Sequence, residues 1–196
     1  MTPFAVGLLT GLSLIVAIGA QNAYVLRQGV RREHVGVVVA ICAISDAVLI
    51  AAGTAGIGAL VSAHPGILTV LTWAGAAYLV WFAIRSFISA WRPEALTQAA
   101  PRSHASVALT TLALTWLNPH VYLDTVLMLG NLANQHGPQR WVFADGAMAA
   151  SLLWFVGLGY GARRLAGPLG RPSTWRVLDA AIGVIMLAIA ARLLLG

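Results

Sequence analysis

The sequence predicts an all-α integral membrane protein with six transmembrane helices, and three observations lead to this fold class. The 196 residues are 59% hydrophobic and 9% charged, whereas soluble domains have roughly 25% charged residues. The mean hydropathy is +0.82. A bilayer-spanning helix takes about 20 apolar residues, and such runs recur along the whole chain. The six predicted spans are residues 4–26, 36–60, 66–90, 105–133, 140–162 and 174–195.

The basic residues lie mainly between these spans. All twelve are Arg, and ten of them flank the first, third and fifth connections, while Arg140 and Arg192 remain for the other side of the membrane. Since the cytoplasmic connections of membrane proteins are enriched in basic residues, this distribution predicts that both termini are periplasmic. The sequence pI is near 10.7, but the positions of the Arg residues indicate the lipid bilayer, and not nucleic acid, as the partner.

The two halves of the chain carry related motifs. The stretch 22–25 of the first span, Asn-Ala-Tyr-Val, aligns with 120–123 of the fourth span, His-Val-Tyr-Leu. Two repeats of three spans must have opposite orientations in the membrane, and inverted repeats are a recurrent plan of transporters. The prediction is one transporter domain, 1–196, with half-repeats at about 1–90 and 105–196 and a connector at 91–104.

The fourth span is predicted to be broken in its middle. Pro119 removes an amide donor and strains the preceding turn. In the interior of a bilayer no water is present to satisfy the backbone groups that are freed in this way. Asn118, His120 and Asp124 are polar groups that are costly at this depth and indicate a buried or watery site. His120 and Asp124 are four residues apart and share a helix face. They form either a proton relay or a structural hydrogen bond that holds the broken helix.

The first span holds the matching polar stretch, and we expect it to be broken as well. Gly19 permits an irregular backbone there. Gln21 and Asn22 follow it, and their amides both donate and accept, which suits the carboxylate or ammonium of an amino acid. The alternative is that these amides join neighbouring helices, as Asn and Gln often do in membranes.

Acidic residues within the spans are the strongest functional candidates. Asp46 lies well inside the second span. No Arg occurs in the middle of any predicted span, where it could pair with this acid. An acid at this depth needs a cationic partner or a proton, so Asp46 is predicted to meet a cationic substrate, a proton or a Na⁺. The alternative is a protonated Asp46 bonded to a Ser or Asn of a neighbouring helix. Asp145 and Asp179 lie nearer span ends and are expected to reach the interface.

Neither the glycine stripes nor the few side chains that could ligate a metal indicate a cofactor. The stripes Gly53-x-x-Gly56-x-Gly58 and Gly157-x-Gly159-x-Gly161 are expected to be sites of close helix packing, with Gly53 aligned to Gly157 in the repeat. An intramembrane metal enzyme built on His120 and Asp124 is the alternative from another class. The chain lacks an HExxH motif and has a single cysteine, so no metal and no catalytic residue are predicted.

Two long motifs, read together, resemble the lysine/arginine exporter family (LysE/ArgO). They are the stretch 19–29, Gly-Ala-Gln-Asn-Ala-Tyr-Val-Leu-Arg-Gln-Gly, and the stretch 118–124, Asn-Pro-His-Val-Tyr-Leu-Asp. Ser45-Asp46 and Gly75-Ala76-Ala77-Tyr78-Leu79 extend the resemblance over essentially the whole chain. It implies a bacterial inner (plasma) membrane protein that is not an enzyme and that expels basic amino acids using the proton gradient or the membrane potential.

The function expected on this basis is export of L-lysine, L-arginine or both. The candidate substrate-binding residues are Gln21, Asn22, Asp46, Asn118 and Pro119. The candidate proton-coupling residues are Asp46, His120 and Asp124. Export of a neutral amino acid such as threonine or homoserine is the alternative transport function. A homodimer is a candidate assembly.

Overall fold

The described part of the chain is helical throughout, which confirms the all-α class. The computed structural model describes residues 1–16, 19–57, 65–91, 103–164 and 172–195. Most of the predicted connector 91–104, and residues 58–60 at the end of the predicted second span, lie outside them. The helices are α1 Pro3–Ile15, α2 Ala20–Arg31, α3 Val35–Thr54, α4 Pro65–Trp91, α5 His104–Trp116, α6 Pro119–Val121, a π-helix Tyr122–Leu129, α7 Gly130–Gln135, a 3-10 turn Gly137–Gln139, α8 Arg140–Arg164 and α9 Pro172–Leu195.

Several of these helices are suited to cross a membrane. Among the described residues, three are long and apolar enough, at Val35–Thr54, Thr72–Trp91 and Gly137–Arg164, and the bent pair α1–α2 counts as a fourth. On α3, Ile44 and Val48 are exposed while Asp46 is buried. An apolar exterior around a polar interior is the pattern of a bilayer protein. The chain is therefore a membrane protein, while the count of six spans stays a prediction.

Both predicted breaks are present. The axes of α1 and α2 differ by 83°, and α5 ends at Trp116 before the next helix begins at Pro119. Pro119 occupies the first helical position, where its missing N–H costs little. Gly19 has φ −123° and ψ −179°, an extended conformation open to any residue. The first break therefore does not depend on glycine at position 19, contrary to the expectation from sequence.

Helices of the two sequence halves approach each other at glycines. A Cβ on Gly29 of α2 would lie 2.5 Å from the carbonyl oxygen of Gly159 on α8. A Cβ on Gly130 of α7 would lie 2.6 Å from the carbonyl carbon of Gly53 on α3. Both distances are too short for a side chain, so these helices pack backbone to backbone. Each contact joins the end of a broken span to the middle helix of the opposite half.

The glycine stripes are packed only in part, so that expectation was wrong for some members. Gly56, Gly157 and Gly161 have open space where a Cβ would stand. Close helix contact is confirmed at Gly53 and at Gly159. Gly159 lies two residues after Gly157, the position that the repeat alignment had paired with Gly53. Gly58 lies outside the described residues.

Described residues that border the first, third and fifth connections lie close together. The Arg32 side chain, just after α2, donates a 3.4 Å hydrogen bond to the carbonyl of Arg163 near the end of α8. The rings of His34, before α3, and His104, at the start of α5, have centroids 3.8 Å apart. These contacts join residues at the described borders of the three connections. Asn134, at the end of α7, donates instead to the carbonyl of Gly53 near the end of α3.

Candidate functional site

A cavity of about 200 Å³ lies where the two broken spans meet α3, α8 and α9. Pockets for drug-sized ligands measure about 300–1,000 Å³, so this one suits a small metabolite. Six predicted site residues line it: Gln21, Asn22, Asp46, Asn118, His120 and Asp124. They come from three different spans, and the fold brings them together. Pro119, also predicted as substrate-binding, is the first residue of α6 and directly follows the cavity-lining Asn118.

Two acidic side chains, Asp46 and Asp124, line the cavity. Asp46 on α3 is 3% exposed, and its Oδ2 accepts a 2.7 Å hydrogen bond from the hydroxyl of Ser151 on α8. Asp124 is half-buried in the π-helix. Within the described ranges neither acid has an Arg or His at ion-pair distance. Two unneutralised carboxylates in a membrane interior are costly, and a cationic ligand would offset that cost.

Asn22 closes the end of the first half-helix. Its Nδ2 donates a 2.7 Å hydrogen bond to the carbonyl of Ile15, the last residue of α1. Its Oδ1 accepts from the indole N–H of Trp154 on α8, at 3.1 Å. The amide therefore satisfies a helix-end carbonyl that water cannot reach in a bilayer. It also joins two helices, which is the structural alternative raised from the sequence, and it still lines the cavity.

The second break is closed in a corresponding way. The Tyr122 hydroxyl donates a 2.9 Å hydrogen bond to the carbonyl of Trp116, the last residue of α5. The Asn118 Oδ1 accepts from the backbone N–H of His120 at 3.1 Å, which caps the start of the following helix. In both broken spans, a side chain after the break thus satisfies the carbonyl that ends the helix before it.

His120 and Asp124 both line the cavity, but they are not bonded to each other. The imidazole Nδ1 is buried without a hydrogen-bond partner, and no ion pair joins the two side chains within the described residues. The chain is π-helical from Tyr122 to Leu129. Its i→i+5 hydrogen bonds give a different repeat from the α-helix assumed in the sequence argument. A direct His120–Asp124 relay is therefore not formed in this conformation.

Sequence reasoning missed one charged group of the cavity, Arg192. This residue lies in the last turn of α9 and lines the cavity together with Ile189, three residues earlier on the same helix face. From the sequence, Arg192 was only counted as a basic residue of the periplasmic side. Gln21, which was predicted, is 92% buried with an unpartnered Nε2.

A buried ion pair outside the cavity corrects two further expectations. Arg27, assigned to a connection, is instead in α2 and 7% exposed, and Asp179 of α9 is fully buried and does not reach an interface. Arg27 NH1 lies 3.3 Å from Asp179 Oδ1, and Arg27 NH2 donates to Ser89 Oγ at 3.3 Å. Helix α2 extends five residues beyond the predicted span, and this places Arg27 inside the bundle. Asp145 is exposed, as expected.

The comparisons with known proteins agree with this arrangement. Residues 12–196 match the family model described as LysE type translocator. The lysine exporter LysE of Corynebacterium diphtheriae is 43% identical over 221 aligned positions, covering 96% of this chain and 97% of the relative. The lysine exporter LysE of Corynebacterium glutamicum is 37% identical, with 100% and 99% covered.

A third relative is an arginine exporter. The arginine exporter protein ArgO of Salmonella newport is 41% identical over 192 positions, covering 95% of this chain and 90% of the relative. No solved structure matches the chain. The family match covers nearly the whole sequence, and members of this family are amino-acid transporters and not enzymes. The chain belongs to the LysE-type translocator family of membrane amino-acid exporters.

Proposed function

We propose that this protein exports L-lysine, L-arginine or both across the bacterial inner membrane, driven by the proton gradient or the membrane potential. The observation that carries the proposal is the pair of unneutralised carboxylates, Asp46 and Asp124, in a cavity between two broken helices. A neutral amino acid such as threonine offers no second cation to such a site. The names of the lysine and arginine exporters that the chain resembles support the same substrates.

Roles for the cavity residues follow from their chemistry. Asp46 attracts the cationic side chain of the substrate or carries the coupling proton. Asp124 supplies the second acidic group, and His120, whose buried Nδ1 has no hydrogen-bond partner, is the third candidate for proton coupling. Gln21 has an unpartnered Nε2 that donates to the substrate. Asn22, Asn118 and Pro119 hold the two breaks open around it.

Alternating access in this proposal comes from two inverted halves, 1–90 and 105–196, that rock about the cavity. Two pairs of contacts support this symmetry. Gly29 meets Gly159, while Gly130 meets Gly53, so each broken span packs on the middle helix of the other half. The side-chain caps at Ile15 and Trp116 are a second matched pair.

Efflux from proteoliposomes tests the function. The purified protein is reconstituted, and the vesicles are loaded with labelled lysine, arginine or threonine. A pH gradient and a voltage are then imposed separately. We expect efflux of lysine or arginine that responds to at least one gradient, with little threonine efflux. Threonine efflux without lysine or arginine efflux would replace this substrate with the neutral one.

A further inference from the structure

The cavity contains a positive group opposite in charge to its two acids. Arg192 lines the same cavity as Asp46 and Asp124, and its exposed side chain makes no ion pair with any described carboxylate. The two carboxylates have other surroundings, since Asp46 is bonded to Ser151. A guanidinium that shares a cavity with two acids without pairing to either remains available to an anionic group of a ligand.

The charges of the cavity complement those of a basic amino acid. When both acids are ionised, the two carboxylates and the one guanidinium together carry one net negative charge. Lysine and arginine at neutral pH carry two cations and one carboxylate, and hence one net positive charge. The unpartnered Nε2 of the 92% buried Gln21 adds a neutral donor. The set thus contains acceptors for the substrate's cations and donors for its carboxylate.

We propose that Arg192 binds the α-carboxylate of the substrate and thereby makes the transporter reject diamines that have the same cations but no carboxylate. The assignment rests on the proposed function. A guanidinium pairs with a carboxylate through two parallel charge-assisted hydrogen bonds. A site that is built to bond a polar group discriminates strongly against an analogue that lacks the group, because its own polar groups are then left unpaired.

Lysine and cadaverine, the diamine that remains when lysine loses its carboxylate, form the matched pair of substrates for the test. Efflux of each is measured from proteoliposomes at equal concentrations. The wild-type protein is expected to prefer lysine by about tenfold or more, the range for losing one hydrogen-bonded ionic contact. Arg192→Ala should lower lysine efflux by a similar factor while leaving cadaverine efflux within about threefold. The preference for lysine then disappears.

Two further variants distinguish this role from a structural one. Arg192→Lys keeps the positive charge and should therefore retain part of the preference for lysine over cadaverine. If the guanidinium had only a structural role, Arg192→Lys would not retain this preference. Arg85→Ala is the control, because that guanidinium lies 5.3 Å from the ring centre of Trp81 and is not in the cavity. It should leave both efflux rates unchanged. Equal loss of lysine and cadaverine efflux in Arg192→Ala, or an unchanged preference, would overturn the assignment.

Failure of the proposed function gives a different result, namely a wild-type protein that exports neither lysine nor arginine. In that case the same variants are measured with threonine and with 1-amino-2-propanol, which is threonine without its carboxylate. Because all amino acids share the α-carboxylate, Arg192→Ala must still abolish the preference for the amino acid. If it does not, the assignment of Arg192 is wrong as well.

Discussion

The hydroxyl of Ser151 on α8 donates a 2.7 Å hydrogen bond to Oδ2 of Asp46 on α3. Both side chains are buried, and they belong to the middle helices of the two sequence halves. An ionised carboxylate accepts about four hydrogen bonds, so this single bond orients Asp46 without exhausting its capacity for a ligand. The cavity-lining carboxyl group of Asp46 is therefore positioned by this contact between α3 and α8.

The orientation of the chain is the first prediction. Cysteines at 32, 92 and 164, near the Arg-rich connections, should react with membrane-permeant but not with impermeant maleimides in intact cells. A cysteine at 137, in the turn before α8, should react with both. We expect this difference in labelling because connections rich in basic residues are retained in the cytoplasm. Cys42 is buried and serves as the unreactive background. Labelling at 92 and 164 from outside would reverse the predicted topology.

The second prediction concerns the break in the fourth span. Tyr122→Phe removes the hydroxyl that donates to the Trp116 carbonyl and leaves that carbonyl unpaired. We expect a loss of about 1–3 kcal/mol in the free energy of unfolding, seen as a lower midpoint of thermal unfolding in detergent, together with slower efflux. Tyr160→Phe is the control, because it removes the same hydroxyl group from an exposed tyrosine of α8. The ring of Tyr160 is contacted by Arg163 and does not take part in the break between α5 and α6. Equal stability of the two variants would contradict the role of Tyr122.

The third prediction concerns the buried ion pair. Asp179→Asn leaves the Arg27 guanidinium, 7% exposed, without its counter-charge, and should destabilise the protein by about 3–5 kcal/mol. The double variant Arg27→Met with Asp179→Leu should recover most of this loss, because replacing both charges by apolar groups removes the desolvation cost. Thermal unfolding of the wild type, Arg27→Met, Asp179→Leu and the double variant gives the coupling energy. Additive losses would show that Arg27 and Asp179 do not interact.

The sequence predicted the components of the cavity better than their geometry. Asp46, Gln21 and Asn118 were identifiable because polar groups are costly in a bilayer, which is a local property of the sequence. The π-helix at Tyr122–Leu129 was not predictable from apolar periodicity. Within the part of the chain that the structure describes, no ion pair joins His120 to Asp124.

Two charged contacts were also beyond local reasoning. Arg27 and Asp179 are 152 positions apart in the chain, and their pairing depends on how α2 packs against α9. Arg192 was treated as a topology marker because it stands near the end of an apolar run. Only the approach of α9 to the two breaks brings it into the cavity.

The central claim is that a carboxylate at position 46 is required for export of basic amino acids. Asp46→Asn keeps the size of the side chain and removes its charge. Asp145→Asn, which alters an exposed acid on α8, is the matched control and should export normally. Asp46→Glu should retain partial efflux, because the charge survives at a different reach.

The most direct measurement is gradient-driven efflux of lysine and arginine from proteoliposomes containing Asp46→Asn. We predict a fall of more than about tenfold, since a charge-assisted contact contributes roughly 1.5–3 kcal/mol. If Asp46 carries the coupling proton, lysine exchange between the two sides should persist while the response to an imposed pH gradient is lost. Efflux of lysine or arginine at the wild-type rate by Asp46→Asn would contradict both roles and make Asp46 a buried structural acid.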